Sequence, residues 1–76
     1  MGVLQILHPK FGDLKHEWHP DHPEEVELAR KTFNEAIAKG MLIYRMDDHG
    51  EKTGEVIKTF DSKIRRMIAM PPMRGG

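Results

Sequence analysis

The sequence predicts an α+β fold in which one helix is laid over one mixed sheet, in the order β-β-α-β-β-β. Three observations carry this. Leu14, His16 and Trp18 alternate with Lys15 and Glu17, the period-two pattern of a half-buried strand. Then the period becomes helical, with Val26, Ala29, Phe33, Ala36 and Ile37 spaced to form a single stripe. After that stripe come short apolar segments separated by polar turns, with no second helical pattern. An apolar helix stripe and one apolar sheet face must cover each other, so the elements form two layers around one core.

Each element has its own local reason. Residues 3–7, VLQIL, are branched and apolar and run into His8-Pro9, which reads as a strand. Pro9 and Gly12 punctuate a turn, and residues 13–18 return as the second strand of a hairpin. A helix is expected from about residue 22 to 39. Asp21 followed by Glu24 reads as a capping box, and Pro23 suits the first turn, where its missing N–H costs nothing. Glu24, Glu25 and Glu27 complement the positive helix start, Lys39 the negative end, and Gly40 supplies the left-handed stop. Residues 41–46 form a third strand, and DDHGEKTGE reads as a flexible loop holding Gly50 and Gly54. Residues 55–60 are the return strand, FDSK a short turn, and residues 63–70 a last strand ending at Pro71. The first and last strands are expected side by side and parallel at the sheet centre, with their hairpin partners outside. Arg65 and Arg66 sit awkwardly in that scheme, because adjacent strand residues face opposite sides.

Composition narrows the function classes. The 76 residues make one domain. A chain of this size buries about 60% of its unfolded surface, and its stability is of the order of 5 kcal/mol. The sequence has no cysteine, which removes disulfides, thiolate zinc sites and a thiol nucleophile, and fits a cytoplasmic protein. No apolar run approaches the roughly 18 residues of a membrane span, and the start lacks the basic leader of a secretory signal. Met1-Gly2 is followed by Ile6 where a myristoylation motif has Ser or Thr. Residues 1–38 carry four basic and seven acidic side chains, whereas residues 39–76 carry eight and five. That split, −3 against +3, argues against a dedicated nucleic-acid binder.

With this element order, the ending AMPPMRGG stands out. Arg74-Gly75-Gly76 matches the arginine and terminal diglycine of ubiquitin. On these residues the chain resembles the ubiquitin-like superfamily of β-grasp proteins. Pro71-Pro72 before the glycines is similar to the Pro-Pro-x-x-Gly-Gly ending of the family's sulfur-carrier branch. The body also resembles small bacterial and phage proteins with similar endings. The resemblance implies a β-grasp domain over residues 1–70 and a flexible tail over 71–76. It implies a protein modifier that is not itself an enzyme and binds no cofactor, while its activating enzyme uses ATP. Gly76 would supply the carboxylate that is adenylated, Gly75 the clearance, and Arg74, Pro72 and Pro71 the guided approach to the adenylating enzyme. Lysines of target proteins would receive the acyl group, and an isopeptidase would remove it. No nucleic acid, membrane or second copy is implied, so a monomer is expected. One departure matters: the family arginine two residues before Arg74 is Pro72 here. A bacterial-type activating enzyme, or sulfur transfer through a C-terminal thiocarboxylate, fits that better than the eukaryotic cascade. A third reading is a non-conjugated interaction module that uses its sheet face and gives the glycines no role.

The tail's chemistry is sound on these residue types. Two glycines lacking Cβ pass a narrow channel with free choice of φ. Two prolines hold the preceding segment extended. Competing signals weigh less. HEWHPDH brings His16, His19 and His22 close in sequence, but it crosses from strand to helix with Pro20 inside, so a polar connection beside Trp18 at the core edge is expected and no metal site. MDDHGE lacks calcium-loop spacing and reads as a solvated hairpin tip. Met67, Met70 and Met73 would fill core gaps or soften a partner surface. The pair Arg65 and Arg66 would line an exposed sheet face and meet an acidic partner.

Overall fold

The computed structural model describes residues 1–8 and 12–71. Its elements are β1 (Gly2–His8), β2 (Gly12–Trp18), α1 (Pro23–Ala38), β3 (Leu42–Met46), β4 (Lys52–Val56) and β5 (Arg66–Met70). The strands form one sheet in the order β2-β1-β5-β3-β4. β1 and β5 are parallel, from Val3 opposite Arg66 to Ile6 opposite Ala69, and every other pairing is antiparallel. A single helix on a five-stranded mixed sheet in this order is a β-grasp-like fold.

The core lies between α1 and one sheet face. Leu4 stands opposite Met67, and Ile43 opposite Ala69, and all four are fully buried. The helix contributes Ala29, Phe33 and Ala36, with Val26 half-buried beside them. Ile37 belongs to the expected stripe but is 38% exposed, because it rides on the stripe's flank. Trp18 is 1% exposed and so belongs to the core interior, not to its edge. Its indole N–H donates to the Ser62 carbonyl at 3.2 Å, which satisfies the one polar group this side chain buries. Edge-to-face contacts link Trp18 to Phe60 (5.3 Å) and Phe60 to Phe33 (5.7 Å). Gly2 is paired with Trp18 across the hairpin, and the indole fills the volume that a Cβ at Gly2 would need. The rest of β2 is less committed: His16 is half-buried and Leu14 is 56% exposed.

The two helix ends are closed differently. The N-cap is His22, not Asp21, and its side chain caps no backbone N–H of the helix. Glu25 takes the part expected of Glu24, reaching back so that its carboxylate accepts the His19 backbone N–H at 2.7 Å. The expected box misplaces the start by one residue, because Pro23 begins the helix and puts Glu25, not Glu24, at the third position. At the other end Gly40 (φ 84°) donates to the Ile37 carbonyl at 2.9 Å, and Met41 donates to Ala36 at 3.1 Å. This paired closure is the Schellman arrangement that a left-handed glycine permits. Lys39 is the cap residue itself, and the last helical turn holds no basic side chain.

The second hairpin differs from expectation. Its turn is tight, at Asp47–Glu51, with the Asp47 carboxylate accepting the His49 and Glu51 N–H groups, both at 2.9 Å. The return strand therefore starts at Lys52 and ends at Val56. Gly54 lies inside it at φ 89°, where the ladder shifts register between Tyr44 and Met46. A glycine that looked like loop punctuation is thus part of a β-bulge. Past the strand, Ile57 turns inward, donating to the Ile43 carbonyl at 2.7 Å and packing at 5% exposure. β5 is shorter than expected, since Asp61 organises a turn by accepting the Lys63 N–H (2.9 Å) on its side chain and the Ile64 N–H (3.1 Å) on its carbonyl. That shortening resolves the arginine pair: Arg65 precedes the strand and Arg66 projects from the open sheet face.

Candidate functional site

The candidate site is built around the C-terminal end of β5. Central position in the sheet fixes this strand on both flanks, by β1 on one side and β3 on the other. The chain leaves the sheet after Met70, which is paired with Leu42, and Pro71 follows at once. Proline has no N–H to continue a ladder, so pairing stops where it stands. Of the residues expected to carry function, Pro71 is described and half-buried at this exit. Pro72, Arg74, Gly75 and Gly76 lie outside the described residues.

The exit borders the open face of the sheet, opposite α1. Strand alternation places Leu42, Tyr44, Ile68 and Met70 together on that face, since Leu42 pairs with Met70 and Tyr44 with Ile68. Val56, opposite Tyr44, extends the patch and is 41% exposed, while Leu42 is 44% exposed. Lys52 closes one side: its Nζ lies 5.2 Å from the Tyr44 ring centre and 3.3 Å from the Met70 sulfur. Both contacts leave the ammonium partly in water, so they orient the lysine more than they stabilise the sheet. Arg66 borders the other end of the same face. The result is an apolar surface with a cationic rim, next to the point where the chain emerges. Sequence reasoning missed this patch. Its signal was present, however: in MLIYRM and RMIAM, the positions pointing away from the core include Leu42, Tyr44, Met46, Ile68 and Met70, an apolar run that is unusual for a sheet face left to solvent and is broken only at Arg66.

Two of the histidines contact each other and Glu25. His19 and His22 stack with ring centres 4.8 Å apart and an interplanar angle of 26°. The second Glu25 oxygen lies 3.2 Å from His22 Nδ1, and because an ionised carboxylate only accepts, that nitrogen carries the proton. The hydrogen bond from His22, then the one from the His19 backbone, hold the Glu25 carboxyl below its ordinary value of 4.5. His16 is not part of this group. Among the described residues no set of three or more metal-ligating side chains converges. The cluster is a side-chain clasp that joins the end of β2 to the start of α1.

Asp48 and His49 occupy the solvated tip of the second hairpin. Arg65 comes within 3.9 Å of Asp48 there, a contact between exposed side chains that contributes little. No helix among the described residues is long and apolar enough to cross a membrane. In comparisons with protein-family models, curated proteins and solved structures, the chain matches none of them.

Proposed function

We propose that this protein is a ubiquitin-like modifier, itself without catalytic activity, that works in the cytoplasm through the carboxylate of Gly76. With that carboxylate free, a bacterial-type activating enzyme would join it to the α-phosphate of ATP, releasing pyrophosphate. A thiol of the enzyme would then displace AMP from the acyl adenylate, and a target lysine amine would displace the thiol to form an isopeptide bond. A metal-dependent isopeptidase would hydrolyse that bond again. The observation that supports this reading is the path of β5, which ends at Met70 in the middle of the sheet, with Pro71 next and Arg74-Gly75-Gly76 three residues further on. The adjoining patch of Leu42, Tyr44, Ile68 and Met70 offers the activating enzyme a surface to grip while the glycines reach the nucleotide.

Expressing the protein in its native host and digesting the proteome with trypsin tests the proposal. Cleavage after Arg74 leaves Gly75-Gly76 on modified lysines, and deletion of Gly76 should abolish those remnants. Their absence from cells that make the protein overturns the modifier reading. Pro71-Pro72 supports the sulfur-carrier alternative, in which one carboxylate oxygen is replaced by sulfur. Intact mass of the native protein shows that exchange directly. The apolar open face supports the third reading, a non-conjugated docking module. It predicts partner binding that survives deletion of Gly76 and is lost in Tyr44→Glu.

A further inference from the structure

We propose that the β2 edge of the sheet pairs with the β2 edge of a second copy, in an antiparallel register centred on His16. Three independent features of that edge converge on it. First, β2 is a sheet edge, and its ladder with β1 is unbroken over seven residue pairs, from Gly2–Trp18 to His8–Gly12. No bulge or internal proline blunts it, and a regular edge is a template for another strand.

Second, the charges select a register. A two-fold axis that makes the strands antiparallel stands perpendicular to the sheet, so both copies keep the same face up. Only registers in which a residue meets one of equal parity are then allowed. Centring on Lys15 is repulsive, because Lys15 would meet its own copy and Asp13 would meet Glu17. Moving the centre to His16 sets Lys15 opposite Glu17 of the second copy, and Glu17 opposite Lys15 of the second copy. Neither Lys15 nor Glu17 has an ion-pair partner among the described residues, whereas Asp13 accepts a hydrogen bond from Gln5 at 3.1 Å. An edge lysine ordinarily repels a second copy. Here the glutamate two residues on converts it into half of a self-complementary pair.

Third, exposed apolar side chains gather on the helix side of the same edge. Leu14, Leu28 and Met1 are 56%, 57% and 67% exposed. Leu28 and Met1 line one shallow depression together with His16 and Trp18. In the His16-centred register Leu14 faces Trp18 of the second copy, so each Leu14 enters the other copy's depression. The pairing would thus cover apolar surface on one face and join charges on the other. The opposite edge has no such design, since β4 is bulged at Gly54 and its ladder with β3 shifts register.

The proposal replaces the monomer expected from sequence, and it is independent of the fate of Gly76. Sedimentation equilibrium of the full chain tests it. A strand-edge interface is small, so we expect a dimer dissociating at roughly 10–500 μM. Lys15→Glu and Glu17→Lys should each weaken it by about tenfold or more, because two attractive cross-strand pairs become repulsive. Lys15→Glu combined with Glu17→Lys should restore it, and Leu14→Ser should weaken it. All three sites are exposed, and thermal unfolding of each variant checks that the monomer remains folded. A chain that stays monomeric up to about 1 mM overturns the proposal. So does a dimer indifferent to Lys15→Glu, or one restored by pairing Lys15→Glu with Asp13→Lys instead, which would centre it on Leu14.

Discussion

The two hairpins have similar sequence lengths and opposite character. β1–β2 is a regular ladder of seven pairs, anchored at one end by Trp18 lying over Gly2. β3–β4 has a register shift, and every residue of β4 is exposed. The difference traces to what each hairpin gives the core. β2 delivers an indole with a hydrogen-bonded N–H, so its register cannot slip without orphaning that group. β4 delivers nothing until the chain has left it, at Ile57. A strand without a buried side chain is free to accept a glycine bulge, and the bulge protects an edge that lacks any other cover.

That contrast can be broken deliberately, and the largest effect should come from Trp18→Ala. Removing a fully buried indole costs about 3–5 kcal/mol. This approaches the whole stability of a domain this small, so the variant should be largely unfolded in urea titrations and by near-UV circular dichroism. A loss below about 1 kcal/mol would show that the first hairpin does not depend on its anchor. Gly2→Ala should follow. The added methyl meets a buried ring that has nowhere to go, an overpacking cost of about 1–3 kcal/mol. If thermal melts of this variant and the parent coincide, Trp18 has room that the packing denies.

Gly54→Ala should cost about 1 kcal/mol, because an L side chain at φ 89° is strained even with no atom within 4 Å. Its signature is locality: amide exchange should accelerate in β3–β4 and stay unchanged in β1–β2. Equal acceleration in both would erase the distinction between the hairpins. The smallest effect belongs to Glu25, whose clasp ties the first hairpin to α1. Its carboxyl is held below 4.5 in the folded protein, so the stability it contributes is fully present above that value and disappears as pH falls through the lowered one. Glu25→Gln should flatten the acid limb of the stability–pH curve below pH 4.5 and leave its alkaline limb alone. An unchanged acid limb would mean the clasp opens as readily as it closes.

Much of this fold was legible in the residues. The helix stripe, Gly40 and the alternation in β2 each report a single strong cause, so local reading sufficed. Gly54 did not, because a glycine between charged residues looks alike in a loop and in a bulge, and only the partner strand distinguishes them. The cap was displaced by one residue for a similar reason, since Glu24 and Glu25 are equally good capping chemistry and Pro23 decides between them. The tail motif was legible as a motif, but the patch beside it depends on pairing Leu42 with Met70 and Tyr44 with Ile68, which are far apart in the chain. No single segment announces such a surface.

The parallel pairing of β1 with β5 has a mechanical consequence. A force drawing residue 2 away from residue 70 runs along both strands in opposite directions. It loads their shared hydrogen bonds together in shear, whereas the antiparallel β3–β4 pair, pulled from its open ends, yields one bond at a time. Anything attached beyond Pro71 would therefore pull on the stiffest line through the molecule. Single-molecule extension along 2–70 should need more force than extension along 42–56, and the reverse order would mean that tension finds another path. A handle bonded to the end of β5 would be held by the strand least able to peel away.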